Sequence, residues 1–225
     1  MTVHRSMPEL PQLSPGITLF EAPRRAIGPL HALVLDHLLG AGGEAVWIDA
    51  HGHASSIYLA DVAPAARVLD RIRVARGFTP TQHRALVDDA ADAIDEETKL
   101  LVAPAVDWLY REEDVQGTEP QQLLLGTLAR LARYARESEI PILLTRVGDD
   151  DLAAPVQQVA DHRLAVTRTR FGPRFEGDSF ETLLYADAGE TMQSTLAFWA
   201  RILRARQPAH KGAPGQAEPT PEVRP

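Results

Sequence analysis

The chain has 225 residues, of which 44% are hydrophobic, 24% charged and 6% aromatic, with a net charge of −8 and no cysteine. That length suits one α/β domain with a sizeable core; the lack of cysteine excludes disulfides, a thiolate zinc site and a Cys nucleophile and fits a reducing cytoplasm; and no apolar run is long enough for a membrane span. The acidic balance argues against binding nucleic acid through bulk charge, and among the 23 basic residues only Lys99 and Lys211 are lysines, so lysine-dependent chemistry has two candidates.

Residues 1–16 carry Pro8, Pro11 and Pro15 and read as an irregular lead-in without the apolar segment of a signal peptide. Residues 17–21 (ITLFE) predict a strand, and 29–39 a helix with Leu30, Leu33, Val34 and Leu38 at helical spacing, ended by Gly40, Gly42 and Gly43. Residues 45–49 (AVWID) predict a strand, 64–71 a short helix and 72–75 a brief strand. A helix follows over 79–93, with Thr79 as N-cap and Pro80 at its first position. Residues 100–103 predict a strand, 120–138 a long amphipathic helix and 140–145 (IPILLT) another strand. Residues 162–170 and 180–186 read as the two strands of a hairpin, and 191–204 as a closing helix. The segment 207–225 holds five prolines and almost no large apolar residue, which predicts a disordered Pro-rich tail behind a folded core of 17–206.

Strands alternating with helices, with near-continuous apolar strands, predict an α/β fold: a mostly parallel sheet covered by helices on both faces, extended by a C-terminal β-hairpin. Ligand sites in such folds lie at the carboxyl ends of the strands. The loop after the first strand, Ala22 to Leu30, has one glycine, no lysine and no hydroxyl, and Arg24 and Arg25 read either as surface arginines or as attractors of an anion. After the second strand, Asp49 with His51 and His53 reads as a polar loop or, with a third ligand such as Asp61, a metal site. The strand at 100–103 ends on Ala103 and Pro104, with no acid before Asp107. Asp149, Asp150 and Asp151 follow the fifth strand and read as a solvated acidic loop or a cation site.

Five stretches in this order resemble the RecA/RadA recombinase core: residues 17–49, 71–87 (RIRVARGFTPTQHRALV), 108–122 (WLYREEDVQGTEPQQ), 140–147 and 160–177 (ADHRLAVTRTRFGPRFEG). The resemblance implies a RecA-like, P-loop-NTPase-type sheet over about residues 15–190. Carried over position by position, the Walker A Lys-Thr falls on Ile27 and Gly28, the Walker B Asp on Pro104, the catalytic Glu on His51 and the γ-phosphate-sensing Gln on Val147. Mg-ATP needs its charge neutralised, so the resemblance implies a pseudo-ATPase with no cofactor and no metal. Lys99 stands at the amino end of its strand and does not replace the missing lysine.

Of the arginines in the family's first DNA-binding loop, Arg111 matches one, while the others fall on Gln116 or Gln121, beside Glu112, Glu113 and Asp114. Arg163, Arg168, Arg170 and Arg174 form a basic cluster with Arg168 and Arg170 on one strand face; it reads either as a phosphate contact or as a solvated edge hairpin paired with nearby acids. The lead-in lacks a Phe-x-x-Ala self-assembly motif. The function expected is that of an inactive RecA/RadA-like protein, partner to another protein such as an active recombinase, accessory or regulatory in DNA recombination or repair, with weak DNA binding; the alternative is a pseudo-ATPase signalling module without DNA. Arginine in place of lysine and 16 aspartates point to a high-GC, haloarchaeal source.

Overall fold

A computed structural model describes residues 9–23, 27–111, 119–178, 180–184 and 196–211. The elements run β1 (Gly16–Glu21), α1 (Ile27–Ala41), β2 (Glu44–Asp49), α2 (Ser56–Val62), β3 (Ile72–Arg76), α3 (Pro80–Ala93), β4 (Thr98–Ala103), α4 (Glu119–Ser138), β5 (Pro141–Leu144), α5 (Ala154–Gln158), β6 (His162–Thr169), β7 (Gly172–Gly177), β8 (Phe180–Leu183) and α6 (Leu196–Lys211), with 3-10 turns at Ala66–Arg71 and Leu109–Arg111. The eight strands form one sheet in the order β3-β2-β4-β5-β1-β6-β7-β8. Pairing is parallel from β3 to β6 and antiparallel from β6 to β8. This is the mostly parallel RecA-like α/β sheet, with an antiparallel extension at one edge.

Strand alternation divides the core into two layers. Phe20, Ala45, Trp47, Leu100, Val102 and Leu143 face the layer that includes α1, α2 and α6. Ile17, Leu19, Val46, Ile48, Leu101 and Ile142 face the layer of α3 and α4, with Val156 of α5. Both faces of the central strands are therefore dry, which is why they read as continuous apolar runs rather than as alternating ones. Thr79 caps α3 as expected, accepting the Gln82 N–H at 3.2 Å.

Several boundaries differ from the sequence expectations. The hairpin partner of β6 is β7, at 172–177, and β8 pairs with β7 rather than with β6. The Gly and Pro of FGPRFEG suggest a long turn, but the chain reverses within Arg170 and Phe171, and Thr169 Oγ1 donates to the Gly172 carbonyl at 2.8 Å to close it. Pro173 sits near the start of β7 opposite Leu184, whose N–H its carbonyl accepts at 2.8 Å, so its missing N–H leaves that pair at the end of the ladder with one bond instead of two. The helix expected at 64–71 is a 3-10 turn, and α2 and α5 are short helices that the sequence did not signal. The helix expected from Thr191 is described from Leu196 and runs on through Lys211, past the boundary at 206, and Arg206 pairs with Asp36 of α1. The rest of the tail, 212–225, and the lead-in residues 1–8 lie outside the described residues.

Candidate functional site

The carboxyl ends of β1, β2, β4 and β5 converge on a cleft of about 500 Å³. Phe20, Pro23, Ile27 and Leu30 give it an apolar wall, and Glu21, His51, Thr145, Arg146 and Asp149 its polar side. Residues 24–26, where Arg24 and Arg25 fall, lie outside the described residues, as do Glu112, Glu113, Asp114 and Gln116. The structure brings Ile27, His51 and Val147 to this cleft, as their strand-end positions imply; Gly28 and Pro104 stand beside it without lining it. Gly28 is buried beneath the Trp199 indole of α6, which leaves no room for a Cβ there.

The tip of β2 is organised by Asp49, which is fully buried. Its carboxylate accepts the His53 N–H at 2.9 Å and Arg76 Nε at 2.9 Å. His31 of α1 donates through Nε2 to the His53 carbonyl at 2.8 Å, and burial lowers its pKa to about 4, so the ring is neutral. Burial lowers the His53 pKa as well, against the opposing pull of Asp49. His51 lies on the Trp108 ring with centroids 3.7 Å apart. Among the described residues no group of three His, Cys, Asp or Glu is placed to hold a metal ion.

The tip of β4 carries no acid. Pro104 follows the strand, and Ala105 adopts left-handed backbone at φ 51 while its N–H donates to Thr145 Oγ1 at 2.7 Å. The next acid along the chain, Asp107, is fully buried and points to the loop after β5. Lys99 stands at the other end of the strand, where Nζ donates to the Glu96 carbonyl at 2.5 Å. Two acids of the run after β5 hold arginines. Asp150 takes both terminal nitrogens of Arg111 at 2.7 and 2.9 Å, and Asp149 takes Arg146 at 2.7 Å. Arg146 also reaches Glu21 at the tip of β1, at 2.7 Å. The guanidinium of Arg111 holds the Asp150 pKa down to about 2.

The expected basic cluster does not form a single patch. Arg163 lies near the amino end of β6 and Arg168 near its carboxyl end, about 16 Å apart along an extended strand, and their parity places them on opposite faces. Arg170 is in the turn rather than on the strand, its guanidinium 4.5 Å from the centre of the Phe171 ring. Arg174 pairs with Glu176 at 3.0 Å and Glu181 at 2.5 Å. Sequence reasoning gave no role to Glu21, Trp108 or Arg146, and it named Asp49 and Asp107 without seeing that both are buried anions with partners of their own. A lone acid inside an apolar stretch, as in VWIDAHG and APAVDWLY, was the available signal, because a buried carboxylate requires partners.

Among curated proteins nothing matches the chain. The Rad51 family model matches residues 31–167, more than half of the chain and the part that holds β2 to β5 and the loops at their tips. With that match on a RecA-type sheet, the chain belongs to the Rad51 family of RecA-type, recombination-related proteins.

Proposed function

We propose that this Rad51-family protein does not hydrolyse ATP and acts as an accessory or regulatory partner, of an active recombinase for instance, in DNA recombination or repair. One observation carries the reading: the strand end where Mg²⁺ would need a carboxylate holds Pro104 and Ala105, and the next acid along the chain, Asp107, is turned away onto loop N–H groups and Arg111. Phosphoryl transfer rests on positioning and charge neutralisation. Here Ile27 and Gly28 stand at the start of α1 without lysine or hydroxyl, His51 stands at the tip of β2, and Val147 follows β5. Arg146, the arginine among the described residues that line the cleft, is already paired with Glu21 and Asp149.

The test is titration of a labelled ATP analogue, with and without Mg²⁺, alongside a hydrolysis assay. No Mg²⁺-dependent binding and no turnover are expected; tight Mg²⁺-dependent binding refutes the reading. Salt-sensitive binding to single-stranded DNA that is lost on replacing Arg168 and Arg170 together supports the recombination role. A second reading, a regulatory module in signal transduction without DNA, draws on the ion pairs that already occupy Arg111 and Arg174. It is favoured if no DNA binding and no recombinase partner are found.

A further inference from the structure

Two consecutive backbone N–H groups after β5 point at one carboxylate. The Val147 N–H donates to Asp107 Oδ1 at 2.7 Å and the Gly148 N–H to Oδ2 at 3.0 Å. Arg111 completes the set, with Nε donating to Oδ2 at 2.7 Å and a terminal nitrogen 2.6 Å from it. The same guanidinium grips Asp150 further along the loop, and it lies so close against Gly148 that a Cβ there would overlap it. Successive N–H donors backed by a guanidinium are the donor set of an oxyanion site. Val147 and Gly148 also line the cleft, whereas Asp107 does not. The remaining contacts of this corner are neutral: Thr145 accepts the Ala105 N–H through Oγ1 and the Val106 N–H through its carbonyl.

We infer that Asp107 is a resident internal anion: its carboxylate fills an oxyanion site built from the Val147 N–H, the Gly148 N–H and Arg111, and so holds the β5–α5 loop shut against β4 with no ligand bound. The two loop donors that border the cleft are thereby spent inside the protein, and the loop keeps one position whatever occupies the cleft. The inference goes beyond the proposed function and does not depend on it, because it concerns how the loop is held and not whether a nucleotide binds.

An oxyanion site emptied of its own carboxylate should accept a small one from solution. In Asp107→Ala, amide hydrogen exchange at Val147 and Gly148 is expected to rise about ten- to hundredfold, the loss that follows from removing charge-assisted hydrogen bonds, while core amides of β4 and β5 such as Val102 and Leu143 keep their protection. Added formate, matched in size to the missing carboxylate, is expected to restore protection in the variant and to leave the unmodified protein unchanged. Unaltered exchange at the two amides, failure of formate to restore it, or a loss spread evenly over β4 and β5 overturns the inference. Should Asp107→Ala not fold, Gly148→Ala serves instead. It leaves the buried carboxylate in place and pushes the Arg111 guanidinium aside, so loop exchange must rise; an unchanged loop overturns the inference equally.

Discussion

His83 shows how a single buried side chain ties stability to pH. Its Nδ1 lies 2.9 Å from the Tyr110 hydroxyl, which lies 2.8 Å from Thr127 Oγ1, which donates to the Leu123 carbonyl at 2.9 Å. Since the last acceptor takes the Thr127 proton, Tyr110 donates to Thr127 and His83 donates through Nδ1, leaving Nε2 without a proton and without a partner. Burial lowers the His83 pKa to about 4 and pushes Tyr110 up to about 12. A histidine held neutral in the folded state binds fewer protons than the unfolded chain below its ordinary value of 6.5, so stability falls as pH drops from 6.5 toward 4. His31 behaves in the same way, and each contributes about 3 kcal/mol at neutral pH that is lost over that window. Denaturant titrations at pH 7 and pH 4.5 should show the fall. His83→Asn, which keeps a donor toward Tyr110 but cannot titrate, should shrink the fall by about half and leave the share of His31, and an unchanged fall removes His83 as a cause.

At the scale of elements, the start of α1 is shaped by a helix from the far end of the chain. Gly28 is the second residue of α1, and the Trp199 indole of α6 lies against it where a side chain would stand. Trp199 is fully buried and also meets Phe175 of β7 and Phe198 edge to face, with centroids 5.9 and 5.1 Å apart. Gly28→Ala forces that indole to move. A loss of about 1–3 kcal/mol is expected from overpacking, read by denaturant unfolding together with a shift in tryptophan emission; unchanged stability would mean the indole has free space to retreat into. The strands from β1 to β5 were legible because their apolar runs are bounded by clear breakers. β7 was not, because its own Gly172 and Pro173 imitate a turn while the pairing partners on either side decide otherwise. The short helices α2 and α5 escaped notice for a related reason: five to seven residues carry too little periodicity to stand out.

For the whole molecule, the joint between α1 and α6 links the beginning of the described core to its end. Arg206 holds Asp36 through Nε at 2.6 Å and Nη2 at 2.8 Å, and both side chains are nearly buried. Arg206→Ala removes both of those charge-assisted bonds from a nearly buried carboxylate, and a loss of about 3–5 kcal/mol is expected. Asp36→Asn combined with Arg206→Ala should recover part of that, as a double-mutant cycle would measure. Singles that sum to the double would show that the pair contributes nothing as a pair.

The sequence by itself determined the class of fold, the order of the parallel strands' segments, and the residue types at their tips, because periodicity and breakers are local properties of a chain. It also placed Ile27, His51 and Val147 at one end of the sheet, since in a parallel α/β sheet every strand delivers its carboxyl end to the same side. Only the tertiary structure decided which charges are free. Arg111 read as a DNA-loop arginine and Arg174 either as a phosphate contact or as paired with nearby acids, and both are held by carboxylates; Asp149 and Asp150 read as a solvated acidic loop or a cation site, and both stay more than half exposed while holding arginines. Asp107 looked like an acid displaced from its strand end, and it is the buried anion around which that loop closes. The reason is physical: a charge is defined by its nearest opposite charge and by its distance from water, and residues 39 or 40 positions apart meet only when the sheet brings their strands side by side.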